Sequence, residues 1–393
     1  MKVLFIHNRY QQAGGEDVAV EAESRLLQEK GHQVQTIVFT NAAHPGIFEK
    51  AGAGWKAIYN GDTYRAIKKR IQEFRPDVVH VHNLFFVASP SVLFAADRLK
   101  IPVVLTVHNY RLVCANALLL RNNKPCELCV GKTFPLYGIR YRCYRSSMAE
   151  TALVTAVTGI HKILGTWQKK VTRYVVLTEF AKSKLSNSSL HLQPGKFIVK
   201  PNFIADPGEG SARREDFFLF VGRLSKEKGV LLLLQAFSAM PGSRLVIIGE
   251  GPEKEFLQQQ FANAANVTFA GKLNKEEVLE TMKISKALIF PSIWYEGLPF
   301  TIIESFATGT PVIASKLGAM EELIKDGYNG YHFKPGEAED LLARIKLFDQ
   351  SNEEMRQRLY VNARNTYLNN YHPEIHFKSI IDIYKTVIAE KAL

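Results

Sequence analysis

The 393-residue chain holds only four cysteines, all between Cys114 and Cys143. A disulfide-framed scaffold is excluded, because such folds are short and cysteine-dense. Long hydrophobic runs are missing as well: no apolar stretch approaches the roughly 18 residues that span a bilayer. The run Val3-Leu4-Phe5-Ile6 after Met1-Lys2 is too short for a secretory signal, so a cytoplasmic protein is expected, with contact to the inner face of a membrane left open. Repeats of long period and low-complexity tracts are absent, so solenoids and disordered tails are not expected. Gly249-Glu250-Gly251 lacks the third glycine of a dinucleotide fingerprint, which speaks against NAD.

What is present reads as a soluble globular protein, with 46% hydrophobic and 22% charged residues and a length suited to two or three domains. The formal charge of +12 is unevenly spread. Residues 1–200 carry 28 Lys and Arg against 13 Asp and Glu, whereas residues 201–393 carry 22 against 25. Basicity is densest from Arg111 to Lys200, where 15 cations face only Glu127, Glu150 and Glu179. An anionic partner is expected to meet that half.

Both halves alternate short β-rich runs with helical patterns. Strands are expected at Lys2–Asn8, Gln33–Thr40, Asp77–Asn83, Val103–Asn109 and Arg173–Glu179, with helices at Glu16–Lys30 and Ser89–Lys100. The pattern restarts with strands at Phe217–Arg223, Arg244–Glu250, Val267–Lys272, Lys286–Ser292 and Pro311–Ser315, and helices at Gly229–Met240, Asn274–Ile284 and Pro299–Thr308. Such alternation predicts an α/β chain of two doubly wound, Rossmann-like domains facing across a cleft, the default ligand site. The expected division is 1–200, 201–372 and a terminal helix over 373–393 with apolar positions at Ile375, Ile380, Ile381, Ile383 and Tyr384.

The strongest chemical signal is Glu296-Gly297-Leu298-Pro299-Phe300-Thr301-Ile302-Ile303-Glu304, just past a strand. Pro299 suits a first helical position, which puts Glu296 in the loop and Glu304 in the helix. Backbone N–H groups from Leu298 to Thr301 then face an incoming phosphate, and the two carboxylates can accept from ligand hydroxyls. Two solvated glutamates on a surface helix are the plainer alternative. Arg223 and Lys228, in Gly222-Arg223-Leu224-Ser225-Lys226-Glu227-Lys228-Gly229, supply a guanidinium fork and a point charge suited to a diphosphate. Gly14-Gly15 resembles half of a phosphate-cradling loop, and His108 ends a strand where it could orient a hydroxyl. No Asp-x-Asp pair occurs, so a metal held by that device is not suggested.

Taken in order, these motifs, with Pro201-Asn202 and Gly309-Thr310-Pro311-Val312-Ile313, resemble the retaining glycosyltransferases of family 4, which have the GT-B fold. The resemblance implies a nucleotide-diphosphate sugar on the second domain and a carbohydrate or lipid-linked acceptor on the first. It implies that Glu304 binds ribose hydroxyls, Glu296 the sugar hydroxyls, and Arg223 with Lys228 the diphosphate. By the same resemblance Gly15 lies near the phosphates, Lys272 and Leu273 near the nucleobase, and His108 beside the donor sugar, while residues 373–391 cross back onto the first domain. Retention through front-face attack, with no catalytic cofactor, is the implied mechanism. A GT-B phosphorylase, a nucleotide-sugar epimerase and a nucleic-acid-binding protein are the alternatives.

Cys114, Cys126, Cys129 and Cys143 are spaced C-x11-C-x2-C-x13-C within an insertion over residues 110–147. Four thiols in a cytoplasmic chain suit a structural Zn site, against clustered thiols or a disulfide formed after purification. The same insertion interleaves Arg121, Lys124, Lys132, Arg140, Arg142 and Arg145 with Tyr137, Tyr141 and Tyr144. No nucleic-acid module accompanies them, so a glycolipid diphosphate or an anionic membrane surface is the expected partner rather than nucleic acid.

Overall fold

The computed structural model describes residues 1–9, 14–40 and 51–392. By contact the chain divides into two compact units, one of Met1–Leu119, Cys126–Asn202 and His376–Leu393, the other of Leu120–Pro125 and Phe203–Ile375. Each carries its own parallel six-stranded sheet.

The first sheet is built from β1 (Lys2–Arg9), β2 (Gln33–Thr40), β3 (Val78–Val81), β4 (Val103–Val107), β7 (Arg173–Val176) and β8 (Phe197–Val199), in the order β2-β1-β3-β4-β7-β8. Between β4 and β7 lies a small antiparallel ribbon of β5 (Leu120–Arg121) and β6 (Lys124–Pro125). Val3 to Ile6 of β1 are buried on both faces, as a central parallel strand between two helical layers requires, whereas β2 at the edge mixes half-buried and exposed positions. Register is parallel throughout, Val3 opposite Val34 on one side and Val78 on the other.

The second sheet runs β11-β10-β9-β12-β13-β14, formed by β9 (Phe217–Val221), β10 (Arg244–Ile248), β11 (Val267–Gly271), β12 (Ala287–Phe290), β13 (Val312–Ser315) and β14 (Gly330–Phe333). Its core gathers Phe218, Phe220, Leu234, Phe237, Ile289, Phe333 and Phe348. β1 runs one residue past the expected end, β2 and β13 end where expected, and β3, β4, β7, β9, β10, β11 and β12 end earlier. Arg223, Glu250, Lys272, Ser292 and His108 all lie in loops beyond the C-terminal strand ends rather than in the ladder. That is where an open parallel sheet presents ligand-binding loops.

The terminal helix Pro373–Ala392 buries Ile380, Ile381, Ile383, Tyr384 and Val387 with Val3, Phe5, Val20 and Leu27, and so completes the core of the first unit. Ile375, expected on its apolar face, is exposed in the first turn, ahead of that contact. No described helix is long and apolar enough to cross a membrane.

Candidate functional site

The candidate residues form two sets, each at the C-terminal edge of one sheet. In the second unit, close backbone crossings hold the loops together. A Cβ on Gly249, where φ is +150°, would stand 1.8 Å from the Gly222 carbonyl oxygen. Gly229, at φ +70°, would put a Cβ 2.0 Å from the carbonyl oxygen of Pro291. Only glycine allows these approaches. Backbone bonds reinforce them: Leu224 N–H donates to Glu250 C=O at 2.9 Å, Gly249 N–H to Gly271 C=O at 2.8 Å, and Ile293 N–H to Glu227 C=O at 2.9 Å. The loops after β9, β10, β11 and β12 thereby become one edge.

Glu296 is buried in the loop after β12, and its Oε1 accepts from three donors. Lys228 Nζ lies at 2.6 Å, Ser292 Oγ at 2.8 Å and Trp294 Nε1 at 2.8 Å, while Oε2 takes none of them. Lys228 sits in a 3-10 turn, Lys226–Lys228, just before the helix Val230–Ser238, and it pairs with Glu296. Arg223, in contrast, is exposed and forms no ion pair among the described residues. One cation is thus committed to orienting the carboxylate and the other is open to a ligand.

Gly297, Leu298 and Pro299 lead into the helix Phe300–Ala307, capped by Pro299. Its first internal bonds come from Ile302 and Ile303 N–H to Pro299 C=O. The N–H groups of Phe300 and Thr301 therefore precede the helical ladder, as the first turn of any helix requires, and the macrodipole adds partial positive charge there. Glu304 lies within this helix, buried, with Oε1 held by Lys275 Nζ. Lys272 is exposed and Leu273 half-buried in the loop before the helix Lys275–Ile284, whose Asn274–Glu277 capping box fixes where Lys275 emerges.

Sequence reasoning missed Ser292, Trp294 and Lys275. Ser292 and Trp294 carried a local signal, lying four and two residues before a strand-end carboxylate. Lys275 carried a weaker one, the residue after a helix cap.

In the first unit, His108 lies past β4, half-buried, with Nε2 3.0 Å from His82 Nδ1 and the two rings stacked at 5.3 Å. Exclusion of water pushes the His108 imidazole down to about 3, so it is neutral at ordinary pH. His82 and Arg111 help line a cavity of about 30 Å³ with it. Gly15 opens the helix Gly15–Glu29, where Gly14 N–H donates to Asp17 Oδ2 at 2.9 Å. The neighbouring Glu16 carboxyl is pushed up to about 8 by burial and accepts from Asn109 Nδ2 at 3.4 Å, which ties the start of this helix to the end of β4. The helix start at Gly15 and the loop that carries His108 therefore adjoin. The four cysteines all belong to this unit.

A larger cavity of about 730 Å³, bordered by Gly229, Val230, Gln235, Phe256 and Ile293, includes none of the candidate charged residues. The candidate residues lie along the loop edge beside it.

Comparison with known proteins gives the family of the chain. The family model "Glycosyltransferase Family 4" matches residues 13–204, and "Glycosyl transferases group 1" matches residues 204–366. The chain belongs to glycosyltransferase family 4 and has the GT-B fold. A phosphatidyl-myo-inositol mannosyltransferase of Mycobacterium tuberculosis is 24% identical over 96% of this chain and 95% of its own. A sulfoquinovosyl transferase of Arabidopsis thaliana is 24% identical over 74% of this chain, and the match spans about half, 53%, of that protein's length. Among solved structures, Anabaena HepE in complex with UDP-glucose superposes with a TM-score of 0.67 at 15% identity, covering 98% of this family 4 chain and all of that one.

Proposed function

We propose that this glycosyltransferase moves a sugar from a nucleotide-diphosphate sugar to a carbohydrate or lipid-linked acceptor in glycan assembly at the cell surface, with retention of anomeric configuration. The second unit takes the donor and the basic first unit the acceptor. The arrangement of Glu296 is the main support: a buried carboxylate with one oxygen fixed by three donors and the other left for sugar hydroxyls. Arg223 and the N–H groups of Phe300 and Thr301 meet the developing diphosphate charge, a task that otherwise falls to a divalent metal. Glu304, steadied by Lys275, accepts from the ribose. The leaving diphosphate takes the acceptor proton, so Glu296 positions the sugar and forms no covalent bond. Neutral His108 can donate to or accept from a sugar hydroxyl without bringing charge. The bound UDP-glucose of HepE and the phosphatidylinositol named in the mycobacterial relative make UDP-sugars and anionic lipids the first choices to test.

The test is a panel of UDP-, GDP- and dTDP-sugars, scored for binding and for nucleoside diphosphate release with and without acceptors, in buffer containing EDTA. Binding one donor class, with acceptor-stimulated release and an axial-to-axial anomeric outcome by NMR, supports the reading. Silence across all donors overturns it. Formation of a sugar phosphate from an oligosaccharide and inorganic phosphate, with no nucleotide sugar used, identifies a phosphorylase, and acceptor-free conversion of the sugar identifies an epimerase.

A further inference from the structure

The geometry points to His82 as a positioning residue for His108, one that holds the His108 proton on Nε2 and leaves Nδ1 bare to accept from a ligand hydroxyl. The part this plays in sugar transfer rests on the function proposed above, whereas the tautomer itself does not.

The sequence brings the rings together. His80 in β3 and His82 just past it are two residues apart, so both imidazoles stand on one side of the sheet, with ring centroids 4.2 Å apart. Phe5 of β1 packs against them at 5.1 and 5.2 Å. β4 runs parallel to β3, Leu105 opposite Val81, and its C-terminal end delivers His108 beside His82. Both nitrogens of His80 are engaged, Nδ1 2.6 Å from Tyr384 Oη and Nε2 2.7 Å from Thr106 Oγ1. His82 is equally buried, and only its Nδ1 has a hydrogen-bond partner among the described residues.

The proton positions follow from three contacts. Glu23 Oε2 lies 2.8 Å from Lys200 Nζ and 2.7 Å from His376 Nε2. All three groups are buried, and an ammonium there needs a negative partner, so the Glu23 carboxyl is ionised. Its Oε1 stands 3.1 Å from His80 Nδ1 and 4.0 Å from His82 Nε2. A lone pair on His82 Nε2 would face that negative charge with no water between them to screen it, whereas an N–H turns its positive end toward it. Exclusion of water keeps His82 neutral, with a single ring proton. That proton therefore sits on Nε2, and Nδ1 is an acceptor. His82 Nδ1 and His108 Nε2 are 3.0 Å apart, a separation with room for one hydrogen. The hydrogen belongs to His108, whose Nε2–H donates to His82. Nδ1 of His108 then carries a lone pair and has no hydrogen bond among the described residues. The ring is half-buried, beside the cavity that it lines with Asn109 and Arg111.

The contact is selective. A bare ring nitrogen accepts from a hydroxyl and repels an ether or carbonyl oxygen, whereas the other tautomer would offer an N–H to any of them. Glu23, His80 and His82 are also close enough to share a metal ion, but Lys200 already supplies the positive charge at Glu23 and both His80 nitrogens are taken.

Long-range ¹H–¹⁵N correlation spectra of the full, ligand-free chain, labelled with ¹⁵N-histidine, read the tautomer of each ring, and His108→Gln assigns the signals. His82 and His108 should both carry the proton on Nε2. In His82→Phe the His108 signals should move toward a mixture of tautomers, and kcat/KM should fall about 10- to 100-fold, with donor Kd unchanged because the donor sits on the second unit. His82→Asn, whose side-chain oxygen can take the place of Nδ1, should recover part of both losses. A wild-type His108 protonated on Nδ1 would overturn the proposal. So would native His108 signals with full activity in His82→Phe, or His82 signals that EDTA shifts, the mark of a bound metal. The tautomer is read in the wild-type chain, so the folding of a variant does not enter it. A wild-type chain with bare Nδ1 that binds no nucleotide sugar ends sugar transfer and the part of His108 in it. One that turns over donor with Nδ1 protonated ends the hydrogen-bond chain and leaves sugar transfer standing.

Discussion

Lys228 Nζ stands 2.6 Å from Glu296 Oε1 although 68 positions separate the two residues in the chain. The pair links the loop after β9 to the loop after β12, and Ser292 and Trp294 converge on the same oxygen. In the proposed reaction Lys228 would act on the ligand through Glu296 as much as by its own charge. Glu296→Ala is expected to lower kcat/KM by about 100- to 1,000-fold, the range for loss of one preorganised polar group at a transition state. Lys228→Met should weaken donor binding as well, because it frees a carboxylate that repels the diphosphate. Steady-state kinetics with titration calorimetry will separate the two. Full activity in Glu296→Ala would remove this residue from the site.

The glycine crossings predict a sharp contrast between positions. Gly249→Ala forces a Cβ onto the Gly222 carbonyl oxygen, and the loops after β9 and β10 must part. Donor affinity should collapse, and stability should fall by at least about 1–3 kcal/mol, the cost of a side chain in a conformation that it avoids. Gly242→Ala meets nothing within 4 Å and has ordinary φ, so its midpoint should stay within about 0.5 kcal/mol of wild type. Chemical unfolding of the two variants side by side checks this, and equal effects would contradict it.

Most of the fold was open to sequence reading because parallel strands buried on both faces are continuous apolar runs, as in Val3-Leu4-Phe5-Ile6 and Phe217-Phe218-Leu219-Phe220. Edge strands β8 and β14, of three and four residues, were missed, since runs so short carry too little pattern. In the site, Glu296 and Glu304 were visible from Pro299, which fixes the helix start. The Lys228–Glu296 and Lys275–Glu304 pairs were not, because each joins loops brought together only by the sheet order β11-β10-β9-β12. Glu23 gave no signal at all. It reads as one more helical glutamate until Lys200 and His376 close on it.

That buried cluster makes stability pH-dependent. Burial depresses His7, His80, His82, His108, His161 and His376 below the ordinary histidine value of 6.5. The unfolded chain then binds more protons than the folded one as pH falls below about 6.5, so stability declines on acidification. Lys200 beside Glu23 holds that carboxyl well below 4.5, and its contribution is lost as pH falls further. Glu16, pushed up to about 8, works in the opposite sense: it keeps a proton in the fold and stabilises as pH drops from about 8 toward 4.5. One carboxyl does not balance six imidazoles, each worth up to about 1.4 kcal/mol per pH unit. Urea midpoints should fall steadily from about pH 7 to about pH 5. A flat profile would show that these histidines are accessible to water.

Glu23→Gln isolates the ion pair. Lys200 would remain fully buried with its counter-charge gone, and breaking such a pair costs about 3–5 kcal/mol. Glu23→Gln combined with Lys200→Met should recover much of the loss, since no charge is then left in the core. A double-mutant cycle on thermal unfolding reads the coupling directly, and additive losses would place the two residues outside each other's influence.

The basic insertion offers a test of membrane contact. On the surface of the first unit the short helix Leu136–Arg140 exposes Leu136 and Tyr137, Tyr141 follows it, and Arg140, Arg142 and Arg145 are exposed around them. Arg140 lies over the Tyr141 ring at 5.8 Å. Apolar and aromatic groups flanked by arginines suit the boundary between acyl chains and anionic headgroups. Near an anionic leaflet each cation contributes about 1 kcal/mol, so Arg140→Gln and Arg142→Gln should each lower partition onto phosphatidylglycerol vesicles about fivefold. Leu136→Asp should weaken binding at low and high salt alike, whereas the arginine variants should lose their effect as salt rises, because only the Coulomb part is screened. Neutral phosphatidylcholine vesicles provide the baseline. If wild-type protein sediments equally with both vesicle types, or with neither, this face is a solvated loop and the acceptor reaches the enzyme from solution.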